Sequence, residues 1–598
     1  MATLLCVPIM VLDEQAALAD AAAARDAGAD IVEYRVDELF SGSLDSRGEL
    51  DQSEVRTMLR LVAECPLPCI VTCRAAEEAG GVGGYDGDEM ARVSLYERLG
   101  TADGQSEHPP RYLDMEFAAY TRSANIRQKI NLAVDHPAQR RDVRTGLILS
   151  THDFGGRPMD LLRRIAMMTD EPAASVIKVA FTAKSIRDNL EIFDLLAEGA
   201  GGRPMIALAM GQFGLLSRVL APKFGGFMTF ASLRKSSATA SGQPTVAELT
   251  GQYRFRAITA RTRLFGLIGW PVEHSLGPLI HNAGFELVAP EELGGVAEAG
   301  SFNGVYLPLP VPPEWEHFKA TLSALIDHPR LDFHGCSVTV PHKLHLVRFA
   351  RESSALGADG IGWSIDELSH ACGAANTLVI ERDEAGVARR ARVMNTDAKA
   401  AVSCLREVVG EVVGDLHVKR VAILGAGGVA RAIAAGLYDA GAQVTVFNRT
   451  VGNAAELVAD LTNFVRTRTD GASRMLVAAD LAEFGTERFD AVINCTPVGM
   501  RVAKNLPESE SHGTNRMPVT LEQVKGCASG GRELVVMDTV YNPRRTPLLQ
   551  AAEGLGLRTI DGLGMFVRQA GEQFSAWTGR PAPLALFERV AGEALKDR

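Results

Sequence analysis

Residues 175–181 read SVIKVAF, an apolar run of the kind that forms a strand buried on both faces, with Lys178 at its centre. An ammonium taken out of water is costly unless it is paired, and otherwise it gives up its proton. The neutral amine that results is a nucleophile suited to a carbonyl carbon. An ion pair or an edge position would equally account for one lysine, so its surroundings decide. Other chemistry-bearing residues stand late in similar apolar runs: Glu33 and Arg35 in IVEYRV, Arg74 closing PCIVTCR, His152 and Asp153 in TGLILSTHDF, and Ser232 in GGFMTFAS. Gathered at one mouth, they would offer a base, an amine and fixed cations. Arg218, in GLLSR, adds a planar fork of donors that suits a carboxylate bidentately.

A second group lies in VKRVAILGAGGVARAIAAGL, residues 418–437. Gly425, Ala426, Gly427, Gly428, Val429 and Ala430 form a glycine turn between a strand and a helix, where backbone N–H groups can approach a pyrophosphate. The next strand, VTVFNRT, ends in Asn448, Arg449 and Thr450, where an acidic residue would hold a ribose 2′-hydroxyl. Arginine there favours a 2′-phosphate, hence NADP.

The elements that would position these residues recur along the chain. LLCVPIMV, IVEYRV, PCIVTCR, RYLDMEF, TGLILSTHDF, SVIKVAF, MIALAM and GGFMTFAS are eight apolar, β-branched segments separated by helical patterns. Eight such strands within roughly 240 residues predict a closed parallel (β/α)8 barrel, whose active-site face is the C-terminal end of the strands. At 598 residues the chain needs more than one core. A net charge of −11 argues against nucleic-acid or anionic-membrane partners and leaves small-molecule substrates. The first apolar run ends at Asp13 with no basic region before it, which reads as a strand and not as a leader. Scattered cysteines, with Cys65, Cys69 and Cys73 lacking a partner pair, give no metal site and suggest reduced thiols in a cytoplasmic compartment.

The motifs VEYRVD, TCRAAEEAGG, STHDF, KVA, GLLSR and ASGQPT, in that order, resemble type I 3-dehydroquinate dehydratase over residues 1–250. The resemblance implies that Lys178 forms a Schiff base with the ring ketone of 3-dehydroquinate, with His152 as general base and acid and Glu78 orienting it. It further implies that Glu33, Arg35 and Arg74 hold ring hydroxyls and that Arg218 and Gln243 hold the carboxylate. Thr239 stands where the family commonly has serine.

After a basic, polar stretch at about 250–262, the motifs GWPVEHSLGP, GCSVTVPHK, GAANT, NTD, NCTPVGM, DTVYNPRRTPLL and GLGMFVRQAGEQF resemble shikimate dehydrogenase. This implies a substrate-binding domain over 263–400, completed by 562–598, and a Rossmann NADP-binding domain over 401–561. Lys343 and Asp397 become the catalytic pair. Ser275, Thr339, Asn376, Tyr541 and Gln569 become substrate ligands, with Thr496, Gly564 and Met565 beside the cofactor. The family usually presents two serines one residue apart for the carboxylate, and here the second position is Gly277.

The two resemblances together imply a fused α/β enzyme of the shikimate pathway, similar to the bifunctional plant form but without a transit peptide. It would dehydrate 3-dehydroquinate and reduce the product to shikimate. Alternatives are a fusion to a quinate-type dehydrogenase, which Arg449 disfavours, or to a ligand-binding regulatory half, for which Gly277 is the best argument. A Schiff-base aldolase fits STHDF less well.

Overall fold

A computed structural model describes residues 2–44, 49–101, 109–138, 144–287, 301–357, 360–413, 416, 419–465, 475–501, 516–528 and 534–596. The chain divides into two compact units, Met1–Thr262 and Arg263–Arg598.

In the first unit, eight strands form one sheet: β1 (Leu4–Met10), β2 (Ile31–Arg35), β3 (Cys69–Thr72), β4 (Tyr112–Glu116), β5 (Gly146–Asp153), β6 (Ala174–Thr182), β7 (Met205–Met210) and β8 (Met228–Phe230). Every paired neighbour is parallel, in the order β7-β6-β5-β4-β3-β2-β1-β8. The remaining seam, between β7 and β8, is bridged by Phe227 N–H donating to Met205 O at 2.9 Å. The barrel is thus near-closed.

Side chains alternate along a strand, so residues two apart share a face. Cys6, Ile31, Ile70, Tyr112, Ile148, Val176 and Ile206 pack together as an apolar floor. Two and four residues further along the same strands or just beyond them stand Glu33 and Arg35, Thr72 and Arg74, Asp114 and Glu116, Ser150 and His152, and Lys178. The same period that fills the floor with carbon therefore delivers the mouth its ionisable groups.

The polar stretch after the barrel is not a free tether. Lys223 Nζ donates to the carbonyls of Ala260 and Thr262, each at 2.9 Å. Arg256 donates to Asp30 Oδ2 at 2.8 Å and to Gly28 O at 2.7 Å. Lys223 from the barrel and Arg256 from the stretch strap it down, which is why the first unit runs to Thr262 and past 250.

The second unit holds two six-stranded sheets. β9 (Arg263–Gly269), β10 (Gly304–Pro310), β11 (Phe333–Val338), β12 (Gly362–Ile365), β13 (Thr377–Arg382) and β14 (Ala388–Met394) form a mixed sheet in the order β10-β9-β11-β13-β14-β12. The helices Gly562–Thr578 and Leu584–Lys596 return to pack on it, burying Phe574, Trp577 and Phe587 against Phe265 and Phe285. β15 (Arg420–Leu424), β16 (Gln443–Asn448), β17 (Leu476–Asp480), β18 (Ala491–Asn494), β19 (Val535–Asp538) and β20 (Arg558–Ile560) form a parallel sheet in the order β17-β16-β15-β18-β19-β20. Its order reverses between β15 and β18, the crevice where doubly wound sheets take ligands. Among the described residues, no helix is long and apolar enough to cross a membrane.

Candidate active sites

Nine of the eleven barrel residues singled out in the sequence line one cavity: Glu33, Arg35, Arg74, Glu78, His152, Lys178, Arg218, Thr239 and Gln243; Asp153, which accepts Gly155 N–H, and the buried Ser232 do not. Lys178 is only 5 % exposed, and it is paired. Its Nζ lies 2.8 Å from Asp114 Oδ2 and 3.5 Å from Glu33 Oε1, and 4.6 Å from the centre of the Phe230 ring. Register brings this about, because β6 sets Lys178 beside Ser150 and β5 sets Ser150 beside Glu116.

Asp114 is also held by Arg74 Nη2 at 3.0 Å and by the Ser150 hydroxyl at 2.6 Å. Burial alone would raise its pKa; Arg74 and Lys178 outweigh that and hold the carboxyl well below the usual range. Arg74 donates further to Glu116 at 3.1 Å and Ser150 at 2.9 Å, and Arg92 reaches the other Glu116 oxygen at 2.7 Å. Arg35 is clasped by Asp37 at 2.8 and 3.0 Å. These cations are already neutralised.

Arg218 is different. It is 2 % exposed, its Nη1 makes a 3.4 Å contact with Phe230 O, and its Nε has no hydrogen-bond partner. Burial pushes its pKa down to about 10, and among the described residues no carboxylate forms an ion pair with it. A buried guanidinium lining a cavity without an acid calls for an anion from outside.

His152 and Glu78 form a paired unit at the mouth. Glu78 Oε2 accepts the backbone N–H of His152 at 3.0 Å and lies 3.2 Å from its Nδ1. Burial, with Arg74 and Lys178 nearby, drives the imidazole pKa well below its ordinary value, so the ring is neutral and able to take a proton. Burial, with Glu116 and Asp114 adding to it, pushes Glu78 up to about 7.

In the second unit, Lys343 Nζ lies 2.5 Å from Asp397 Oδ2. Lys343 opens the helix Lys343–Leu356 and Asp397 opens the helix Asp397–Val413. Asn376 Nδ2 donates to Asp397 Oδ1 at 3.0 Å and lies 3.4 Å from Gln569 Oε1, so four of the expected residues form one cluster. Ser275 and Gly277 adjoin each other, with Gly277 N–H donating to Ser275 Oγ at 3.1 Å. Tyr541 is half-buried and stacks on Phe566 at 4.6 Å. Thr339 follows β11 directly and lies beside Gly269 at the end of β9, where a Cβ on that glycine would meet its methyl.

The glycine turn follows β15. Gly425 has φ +105°, and a Cβ there would press on Thr496 at 3.0 Å. Around Gly427, which caps the helix Gly428–Asp439, the space within 4 Å is open. A Cβ on Gly428 would meet Lys343 Cβ at 3.0 Å, so the turn abuts the stem of the lysine. Backbone can therefore be approached by a phosphate here, and these residues fit a dinucleotide. Val429 is half-buried; Ala430 and Met565 lie inside the core under the turn. Gly564 O accepts from Arg568 Nη1 at 3.3 Å. Asn448 Nδ2 donates to Thr450 O at 2.9 Å, and Arg449 is exposed beside them.

Sequence reasoning missed Asp114 and Glu116 in the barrel, and Thr396 and Gln573 around Asn376. The signal was present for the first two: YLDME carries acids two apart on one face of its strand.

Four family models match the chain: type I 3-dehydroquinase over residues 5–260, the shikimate dehydrogenase substrate binding domain over 267–378, shikimate/quinate 5-dehydrogenase over 407–507, and the shikimate 5′-dehydrogenase C-terminal domain over 562–591. A chloroplastic bifunctional 3-dehydroquinate dehydratase/shikimate dehydrogenase of Arabidopsis thaliana is 30 % identical, covering 98 % of this chain and 84 % of its own. An NADP+ shikimate dehydrogenase of Methanocella arvoryzae is 33 % identical, over 56 % of this chain and 99 % of its own. A solved shikimate dehydrogenase in complex with NADP+ is 29 % identical and covers 56 % of this chain and 97 % of its own, with a TM-score of 0.43.

Proposed function

The chain belongs to the bifunctional 3-dehydroquinate dehydratase/shikimate dehydrogenase family, and from that premise we propose how its two sites divide the work. It is a lyase and an oxidoreductase of the shikimate pathway. In the barrel, the Lys178 amine attacks the ring ketone of 3-dehydroquinate and water leaves, giving an iminium. The iminium draws electrons from the adjacent carbon, and neutral His152 removes that carbon's proton. The same imidazolium then protonates the departing hydroxyl, and hydrolysis returns the lysine with 3-dehydroshikimate. Arg218, with Gln243 and Thr239 near it, takes the substrate carboxylate. Arg35, Arg74 and Glu33 hold the ring hydroxyls from within their ion pairs, and Glu78 keeps the imidazole aimed.

In the second unit, 3-dehydroshikimate is reduced to shikimate. NADPH, when bound, would supply the hydride. Gly425–Ala430 and Thr496 would hold its pyrophosphate, Asn448, Arg449 and Thr450 its 2′-phosphate, and Gly564 and Met565 its nicotinamide side. Lys343 presents a proton to the developing alkoxide, with Asp397 positioning and resupplying it. Asn376 and Gln569 fix the ring hydroxyls, and Ser275, Thr339 and Tyr541 complete the substrate's surroundings. The barrel is residues 1–250 with its strap; the second unit divides into 263–400 with 562–598 and 401–561. All nine cysteines are free, which suits a reducing, cytoplasmic-type compartment.

The observation that carries this reading is Arg218, a buried cation awaiting an anion in the cavity that also holds an amine and a neutral imidazole. Supplying 3-dehydroquinate with NADPH and identifying shikimate tests it. Accumulation of 3-dehydroshikimate without its reduction would leave only the barrel half standing.

A further inference from the structure

We propose that Tyr306 is a substrate-binding residue whose hydroxyl meets the ring carboxylate where this chain has Gly277. The proposal rests on the reading that Ser275 marks the carboxylate end of the reductase site.

A Cβ on Gly277 would lie 3.2 Å from Tyr306 Cε1, 3.4 Å from Tyr306 Oη and 3.3 Å from Ser275 Oγ. The space left by the missing side chain is thus bounded by two hydroxyls. Gly277 N–H donates to Ser275 Oγ, so the serine proton is directed elsewhere. Gly277 opens a ten-residue helix, whose first turn favours negative charge. With no side chain in the way, a carboxylate reaching Ser275 can sink until it meets the tyrosine.

The ring is held for that purpose from three sides. Asn282 clamps its backbone, with Asn282 Nδ2 donating to Tyr306 O and Tyr306 N–H donating to Asn282 Oδ1, each at 2.8 Å. His281 stacks on it at 4.5 Å, and Trp577 packs at 5.8 Å. Ser337, the hydroxyl beside it, gives its own proton to Gln573 Oε1 at 2.8 Å. A fixed donor loses little freedom on binding. Burial raises the phenol's pKa, so the proton is present at any working pH.

The test compares Tyr306→Phe, Gly277→Ser and the double variant in the full chain, with 3-dehydroshikimate and with its methyl ester, which lacks the charge. Phenylalanine keeps the ring and its stacking. The expected result is a KM for the acid raised about tenfold or more, kcat within about twofold, and a much smaller change for the ester. Gly277→Ser should rescue the Tyr306→Phe background more than it helps the unaltered chain. An unchanged KM, equal losses for acid and ester, or the same serine effect in both backgrounds would overturn the proposal while leaving the reductase reading intact. A chain that reduces no 3-dehydroshikimate would remove that reading and the proposal together.

Discussion

Lys178 and Lys343 are both buried and both lie against an aspartate, at 2.8 Å from Asp114 and at 2.5 Å from Asp397. Their aspartates are shared differently. Asp114 also receives a guanidinium from Arg74, whereas the other oxygen of Asp397 receives the neutral amide of Asn376. When Lys178 gives up its proton, Asp114 still has a cation beside it, so the change does not strand a buried carboxylate. When Lys343 gives up its proton, Asp397 keeps only amide support, and the pair is restored by taking a proton back. On the functions proposed above, a nucleophile needs the first arrangement and a recycling proton donor the second.

The comparison can be broken most decisively at Lys178. Lys178→Ala should lower dehydration by about 10⁴-fold or more while the same chain still reduces 3-dehydroshikimate. Borohydride added with 3-dehydroquinate should trap the ligand on Lys178 in the unaltered protein. An adduct on another lysine would end the nucleophile assignment. Lys343→Ala should cost about 10²- to 10⁴-fold in reduction, measured as kcat, with dehydration unaffected. A loss confined to KM would make Lys343 a binding residue and dissolve the contrast.

Smaller effects sharpen it. Arg218→Gln should raise KM for 3-dehydroquinate by roughly 10- to 150-fold, because a charge-assisted contact is worth about 1.5–3 kcal/mol. Arg449→Gln should weaken NADPH binding by about tenfold, the lower end of the same range for an exposed side chain, and leave NADH nearly untouched. Equal loss of both cofactors would place the arginine elsewhere. The gentlest probe is pH. A base must be neutral, and the His152 pKa is lowered well below 6.5. Its neutral form therefore persists as pH falls through 6.5, and the acid limb of dehydratase kcat/KM should lie below that value. A half-loss at 6.5 or above would exclude a desolvated imidazole as the base.

The barrel was legible because it is written in a period of two: eight apolar runs, most of which carry an ionisable residue at a late position. The nine residues read from separate motifs do line one cavity. The ion pairing was not legible, since Asp114 meets Lys178 only once β4, β5 and β6 are in register. Tyr306 could not be read either, because its closeness to Gly277 exists only after the helix folds back on β10. The stretch after the barrel was legible as a boundary, but its attachment to the barrel was not, because Arg256 meets Asp30 only in the folded chain. Met565 is buried among the apolar residues beneath the glycine turn, a placement that the spacing along its helix alone did not show.

Gly428 belongs to the glycine turn, yet the nearest atoms a side chain there would strike belong to Lys343. Two chemical duties thus depend on one missing methyl group. Gly428→Ala would push Lys343 Cβ from 3.0 Å, moving the proton donor while nominally altering the nucleotide loop. On the roles proposed above, hydride delivery and protonation have to converge on one carbonyl, and their apparatus would be in mechanical contact here. Position 428 would then be a spacer that keeps the two in alignment, and a substitution there would be felt first as poor coordination between them.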